Sequence, residues 1–202
     1  MRARDLKRLA AGSDERSRAL AAALAGAAEE RGLLDVALGS AESPVGPLLV
    51  AVTPRGLARV AFASEDPDEV LEELAARLSP RMLESARATG EVRRELEEYF
   101  EHRRRSFDLR LDWALIHGFA TETLRATARI PYGHVSTYRE VAERVGSPRA
   151  ARAIGNALGS NPIPIVIPCH RVLRSGGALG GYGGGVERKE TLLRLEGALG
   201  RG

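Results

Sequence analysis

Cys169 and His170 are neighbours in "IPIVIPCHRVLRSGG", residues 163–177, and Cys169 is the only cysteine of the 202-residue chain. A thiol beside an imidazole is a candidate nucleophile, because the thiolate is the attacking form and a neighbouring histidine or cation lowers its pKa. The plainer reading is a small buried hydrophobe chosen for packing. His170, likewise, either reaches the sulfur through one water or is a hydrogen-bonded core histidine. Adjacent side chains on an extended chain point apart, so adjacency alone does not decide. Zinc is disfavoured: a structural site takes four protein ligands, and the other three histidines are scattered. No metal site is expected.

The elements around the pair must position it. In "SNPIPIVIPCHRV", Pro162, Pro164 and Pro168 cannot donate backbone hydrogen bonds, so the segment reads as a rigid, extended apolar ramp ending at Cys169. Upstream, "HVSTYREVAERVG" offers Thr137 and Glu140 as a capping box and Gly146 as a stop. Its apolar residues Tyr138, Val141, Ala142 and Val145 share one face. "SPRAARAIGNALG" reads as a second helix, capped by Ser147 with Pro148 at its first position and ending at Gly159. Such a pair is a helix-turn-helix or an ordinary helical hairpin. The second helix carries Ala150, Ala151, Ala153, Gly155 and Ala157 around one long side chain, Arg152. That surface suits close approach of a nucleic-acid backbone and entry of a lone arginine into a minor groove. It also suits plain helix packing.

The rest of the chain reads as a frame. Residues 1–33 form a helical N-terminal extension, with "SRALAAALAGAAEERG" closed by Gly32. Apolar runs at 34–38, 47–53 and 57–63, separated by Gly/Pro/Ser turns, predict a small antiparallel meander. "PDEVLEELAARL" and "GEVRRELEEYFEHRR" predict helices, and "SFDLRLDWAL" an extended crossing into the second half. The predicted division is residues 1–33, an α/β domain over residues 34–112 and a second domain over residues 113–202. The start of the chain has no apolar signal segment, and no run approaches the ~18 apolar residues of a membrane span. A reducing cytoplasm, where a lone thiol stays free, is the expected location. The net charge is +3 and all but two of the 30 basic residues, Lys7 and Lys189, are arginine. Arginine suits bidentate phosphate contacts, although bulk charge this small is weak evidence by itself.

"NPIPIVIPCHRV", with "PRAARAIGNALG" before it and "GALGGYGGGVERKETLLRLEG" after it, resembles the methylated-DNA–protein-cysteine methyltransferase family. The resemblance runs from about Phe119 to Gly197. Residues 34–111 are similar to the family's small N-terminal domain more loosely, through "SPVGPLLV" and "LEEYFEHRRRSFDL". It implies an α+β fold: a small antiparallel sheet with helices, ribonuclease-H-like, followed by a mostly helical, winged-helix-like domain. It also implies irreversible, single-use transfer of an alkyl group from O6-alkylguanine, and from O4-alkylthymine, in double-stranded DNA to the cysteine. By matching positions Cys169 is the acceptor, His170 the base acting through a water, Glu196 its orienter and Asn161 the brace of the turn. Tyr138 helps rotate the nucleotide out and Arg152 fills the gap, with Ala151, Ala153, Gly155 and Ser175 beside the DNA. Tyr182, Gly183, Pro164 and Val172 form the pocket for the flipped base. If His170 and Glu196 activate the sulfur, its pKa lies well below ~8.5. No cofactor, membrane or obligate protein partner is implied, and the protein is expected to be a monomer. Some members hold zinc in the N-terminal domain, which a chain without a second cysteine lacks. "DWALIHGFATETLRA" departs from the usual family wording before the helix-turn-helix.

Other function classes fit less well. An alkyltransferase-like protein that binds the lesion without transfer has another residue in place of Cys169. A regulatory winged-helix protein needs several base-reading side chains on its recognition helix, and "PRAARAIGNALG" has few. A cysteine hydrolase needs a water-activated second step that nothing here supplies.

Overall fold

The computed structural model describes residues 19–199; the first 18 residues of the expected extension lie outside them. The first described element, α1 (residues 19–30), closes where Gly32 takes φ 65° and Leu33 N donates to Ala28 O at 2.8 Å. The meander follows as β1 (Val36–Ala41), β2 (Leu48–Thr53) and β3 (Gly56–Phe62), each antiparallel to the next. A short fourth strand, β4 (Met82–Glu84), pairs parallel to β1 and gives the order β3-β2-β1-β4. Three residues hold no readable alternation, so this strand escaped the sequence reading.

α2 (Pro67–Arg77) starts with Asp66 accepting from Asp68 N at 2.9 Å and with Pro67 at its first position. Its Val70 and Leu74 cover Val36, Ala51 and Ala61 on one sheet face. α3 (Gly90–Phe100) lies on the opposite side, where Val92, Leu96, Tyr99 and Phe100 meet Leu48, Val50, Val60 and Phe62. That second cluster continues without a break into Leu124, Ile154, Ile163, Ile167 and Leu192 of the C-terminal half. The crossing near residue 110 runs beside β3: Leu57 N donates to Arg110 O and Asp112 N to Leu57 O, both at 2.8 Å. Gly56 permits this approach, since a Cβ there would lie 2.2 Å from Arg110 O.

The second half contains α4 (Phe119–Ala128), β5 (Ser136–Thr137), α5 (Tyr138–Arg144), α6 (Ala151–Gly159), β6 (Val172–Leu173) and α7 (Val186–Leu195). β5 and β6 pair in parallel. The capping box of α5 is formed: Glu140 N donates to Thr137 Oγ1 at 3.2 Å, and Thr137 N to Glu140 Oε2 at 2.9 Å. Gly146 turns the chain at φ 70°. The second helix begins later than the sequence suggests. Ser147–Ala150 make a separate turn, with Ala150 N donating to Ser147 O at 2.9 Å, and α6 starts at Ala151 without a side-chain cap. Among the described residues no helix is long and apolar enough to cross a membrane.

The proline-rich approach is not an extended ramp. Ile167 N folds back to Ile163 O at 2.9 Å, and Ile165 takes φ 73°. A left-handed β-branched residue is strained and persists where its surroundings fix it. Here Ile163, Ile165 and Ile167 are all fully buried. The prolines cannot complete a ladder, so the chain coils into consecutive turns instead.

The capping box sets the orientation of Tyr138, the first residue of α5. Thr137→Ala is expected to remove about 1 kcal/mol of stability. It should lower the urea midpoint with an unchanged denaturant slope, measured by circular dichroism.

Candidate active site

Cys169, His170 and Arg171 occupy one 3-10 turn that leads into β6, and all three are buried. Asn161 spans the coil before it. Its Nδ2 donates to Cys169 Sγ at 3.1 Å and to Ile167 O at 2.9 Å, while Oδ1 accepts from Ile163 N at 3.0 Å. One amide thus fixes the coil and supplies the sulfur with a donor.

Behind the turn lies Glu196, at the end of α7. Its Oε1 accepts from Tyr99 Oη at 2.6 Å, His170 Nε2 at 2.9 Å and Arg171 Nη2 at 2.8 Å. Its Oε2 accepts from Arg171 Nε at 2.8 Å and Gly133 N at 3.3 Å. Burial alone would raise this carboxyl, but the bonds from His170 and Arg171 outweigh it and hold the pKa at about 2. Burial lowers the pKa of His170 against the pull of Glu196, which favours neutral imidazole. A carboxylate only accepts, so Nε2 carries the ring proton and Nδ1 keeps its lone pair. Nδ1 is buried and has no protein partner, the state required of a base.

The thiol does not follow the sequence expectation. Burial pushes Cys169 up to about 11, although Asn161 and Lys189 oppose it. Proximity to His170 lowers a thiol pKa when the imidazole is charged; here it is neutral, and desolvation prevails. Lys189 is fully buried, with Nζ donating to Val172 O at 2.6 Å, and burial depresses it to about 8.

A cavity of about 480 Å³ borders Cys169, Asn161, Pro164, Tyr182 and Gly183. A smaller one, about 260 Å³, shares Cys169, Tyr182 and Gly183 with it and is lined by Tyr138 and Gly155 as well. The Tyr182 ring stands edge-on to His170 and Phe62, and its buried hydroxyl has no partner. Outside lies an open groove bordered by Tyr138, Ala151, Arg152, Gly155, Arg174 and Ser175. Gly155 and Tyr138 border both groove and smaller cavity, and a Cβ on Gly155 would sit 3.8 Å from the tyrosine ring.

Two named residues stand apart from these spaces. Ala153 is exposed but does not border the groove, and Val172 is fully buried with its carbonyl taken by Lys189. Arg171, Tyr99 and Lys189 were missing from the sequence reading. Tyr99 lies 97 residues from Glu196 and left no signal. Lys189 left one: a lysine kept in an arginine-rich chain marks a place where a compact point charge is needed. Among the described residues no cluster of His, Cys, Asp and Glu could hold a metal ion.

Comparison with known proteins gives consistent matches. Residues 36–113 match the 6-O-methylguanine DNA methyltransferase ribonuclease-like domain, and residues 118–198 the DNA binding domain of the same family. The chain is 40% identical over 155 residues to a methylated-DNA–protein-cysteine methyltransferase of Methanosarcina barkeri, covering 77% of this chain and 93% of the relative. A Mycobacterium leprae protein of the same name is 40% identical over 157 residues, covering 78% and 90%. The crystal structure of Mycobacterium tuberculosis OGT in complex with DNA superposes with a TM-score of 0.67 at 36% identity, covering 78% of this chain and 90% of that one.

A thiol at about 11 makes a specific demand on reactivity. In the free protein, the rate of Cys169 alkylation by iodoacetamide follows the thiolate fraction. It should keep rising about tenfold per pH unit through pH 9 and level off only near 11, read by mass spectrometry. A plateau at pH 8 would show a thiol ionised at rest.

Proposed function

The chain belongs to the methylated-DNA–protein-cysteine methyltransferase family, and from that premise we propose how its residues divide the work of repair. It is a DNA-repair alkyltransferase, and DNA is its partner. The substrate is duplex DNA carrying O6-alkylguanine, with O4-alkylthymine as a second lesion. One monomer acts once, in the cytoplasm, where reducing conditions keep its thiol free. Residues 34–112 serve as supporting domain, residues 113–202 carry the chemistry, and residues 1–33 are an extension.

The base edge is out of reach inside a duplex, so the nucleotide is rotated out, at a cost of a few kcal/mol. Tyr138 and Arg152, on the groove, serve this step, with Arg152 filling the gap in the stack. Ala151 and Gly155 let the DNA backbone approach, and Ser175 contacts it from across the groove. The flipped base enters between Tyr138 and Tyr182, toward Gly183 and Pro164.

His170 Nδ1 then takes the thiol proton through a water. Glu196 holds the ring with Nε2 protonated and stabilises the imidazolium that forms; Arg171 and Tyr99 hold Glu196. The sulfur attacks the alkyl carbon, an S–C bond forms, the C–O6 bond breaks and its electron pair leaves with guanine. The thiol proton is balanced by protonation of the departing base. Asn161 and Lys189 temper the sulfur's charge during attack. A thioether has no onward hydrolysis, which limits each molecule to one event. The observation that carries this reading is the placement of Cys169, hydrogen-bonded to Asn161, in a buried cavity that shares Tyr138 and Gly155 with an arginine-bordered groove.

Incubation with O6-methylguanine duplex should add one methyl group, about 14 Da, to Cys169 in one molecule per lesion. Cys169→Ser should abolish transfer and retain lesion binding. Turnover on excess lesion would contradict single use.

Arg152 is tested by changing the DNA. Arg152→Ala should slow duplex repair at least tenfold, yet change the reaction with free O6-benzylguanine little, because that base needs no extrusion. A lesion opposite an abasic site should recover part of the loss. Equal losses on duplex and free base would assign Arg152 to the pocket or the fold.

A further inference from the structure

One wall of the site is carried by a loop with little stiffness of its own. Tyr182 stands in "GGYGGG", residues 180–185, with two glycines before it and three after. Tyr182 and Gly183 border both cavities at Cys169. Glycine leaves a backbone more conformations than any other residue, so such a loop keeps one shape only where its surroundings fix it. The loop's own turn is closed by Gly185 N, which donates to Tyr182 O at 3.0 Å.

Two consecutive residues of α7 hold the loop. Lys189 Nζ donates to Gly181 O at 3.4 Å near its start, and Arg188 Nη1 to Gly184 O at 2.6 Å near its end. The same guanidinium crosses to the N-terminal half. Its Nε donates to Val45 O at 2.8 Å, in the connection between β1 and β2, and Nη1 also donates to Ser64 Oγ at 3.1 Å, just beyond β3. The guanidinium carbon lies over the Phe62 ring, 5.4 Å from its centroid. Phe62 is also the floor of the loop: a Cβ on Gly184 would come within 2.7 Å of that ring, and Tyr182 meets it edge-on at 5.8 Å between centroids. All three acceptors of Arg188 are neutral oxygens, so the arrangement fixes position and neutralises no charge. A planar fork of N–H donors can span such a set, whereas the point charge of a lysine cannot.

Resting on the alkyl-transfer reading above, we propose that Arg188 is a positioning residue for the extruded base: it fastens the Tyr182 loop to the N-terminal sheet, so that the wall receiving the base is formed before DNA arrives. Arg188 borders neither cavity at Cys169 nor the groove, so it acts through Gly184 and Tyr182 and not by contact. Without its bonds the loop samples other shapes. The apparent affinity for the base then falls with the fraction of molecules whose wall is in place. This role gives the N-terminal half a part in recognition, as the template against which the loop is set.

Arg188→Met tests this, because it keeps a long side chain over Phe62 and removes the hydrogen bonds. Single-turnover rates are measured below saturation on an O6-methylguanine duplex and on free O6-benzylguanine. Both should fall roughly three- to tenfold, the range of the one hydrogen bond that holds Gly184, because both bases need the same wall. Two other measurements separate positioning from damage to the fold. Affinity for unmodified duplex, which reads the groove, should match the wild type, and the rate of Cys169 alkylation by iodoacetamide should not fall. Arg188→Lys keeps the charge without the fork; it should show the same pattern, and it decides the matter if Arg188→Met does not fold. Unchanged rates on both bases, or a loss on the duplex alone, overturn the role of Arg188 while methyl transfer stands. An equal fall in the iodoacetamide rate, or a loss of affinity for unmodified duplex, overturns it too, since Arg188 would then serve the cysteine turn or the fold at large. Absence of methyl transfer to Cys169 in the wild type overturns the alkyl-transfer reading itself.

Discussion

A carboxylate taken out of water destabilises a fold unless its lone pairs are met by donors, and Glu196 imposes that condition on the site. It sits at the C-terminal end of α7, where the helix dipole already disfavours negative charge. Its donors are four residues from three places: Tyr99 on α3, Gly133 in the turn after α4, and His170 and Arg171 from the 3-10 turn. Removing any one leaves a buried charge less compensated. The carboxylate therefore ties α3, the turn after α4 and the cysteine turn into one arrangement. The tautomer of His170 follows from it, since a ring that must donate through Nε2 has Nδ1 free to accept.

The same burial that strengthens this network silences the nucleophile. With the thiol at about 11, ionisation at neutral pH costs on the order of 5 kcal/mol. A protein used once gains from that. A permanently ionised sulfur would react with any small electrophile and be lost, whereas a neutral one is drawn into reaction when a base, a positioned alkyl carbon and a departing guanine are assembled together. Asn161 and Lys189 keep the cost from rising further, one by a hydrogen bond and the other by charge. Positioning then supplies much of what nucleophilicity lacks.

What was legible in the sequence was local chemistry. The Thr137–Glu140 box and the Gly146 turn are interactions between residues a few positions apart, and each is present in the fold. The Cys169–His170 pair and its family context were legible for the same reason. What failed depended on distance or on competition. Ser147 and Pro148 satisfy the pattern of a helix start, yet the chain makes a turn there first. The prolines before Cys169 argued for extension, but Asn161 and three buried isoleucines coil the segment instead. The pKa of the thiol was beyond reach, because sequence adjacency reveals a neighbour's identity and not its protonation state or the depth of burial.

The groove and the network behind the thiol are separate in space. Arg152 borders the groove and neither of the cavities at the sulfur, while His170, Arg171 and Glu196 are buried away from the groove. Tyr138 and Gly155 border both the groove and the smaller cavity. Tyr138 is the first residue of α5, held there by the capping box, and its ring lies 3.8 Å from where a Cβ on Gly155 of the next helix would sit. The junction of α5 and α6 therefore borders both the open groove and the smaller cavity at Cys169, so one pair of residues, Tyr138 and Gly155, joins the surface to the thiol.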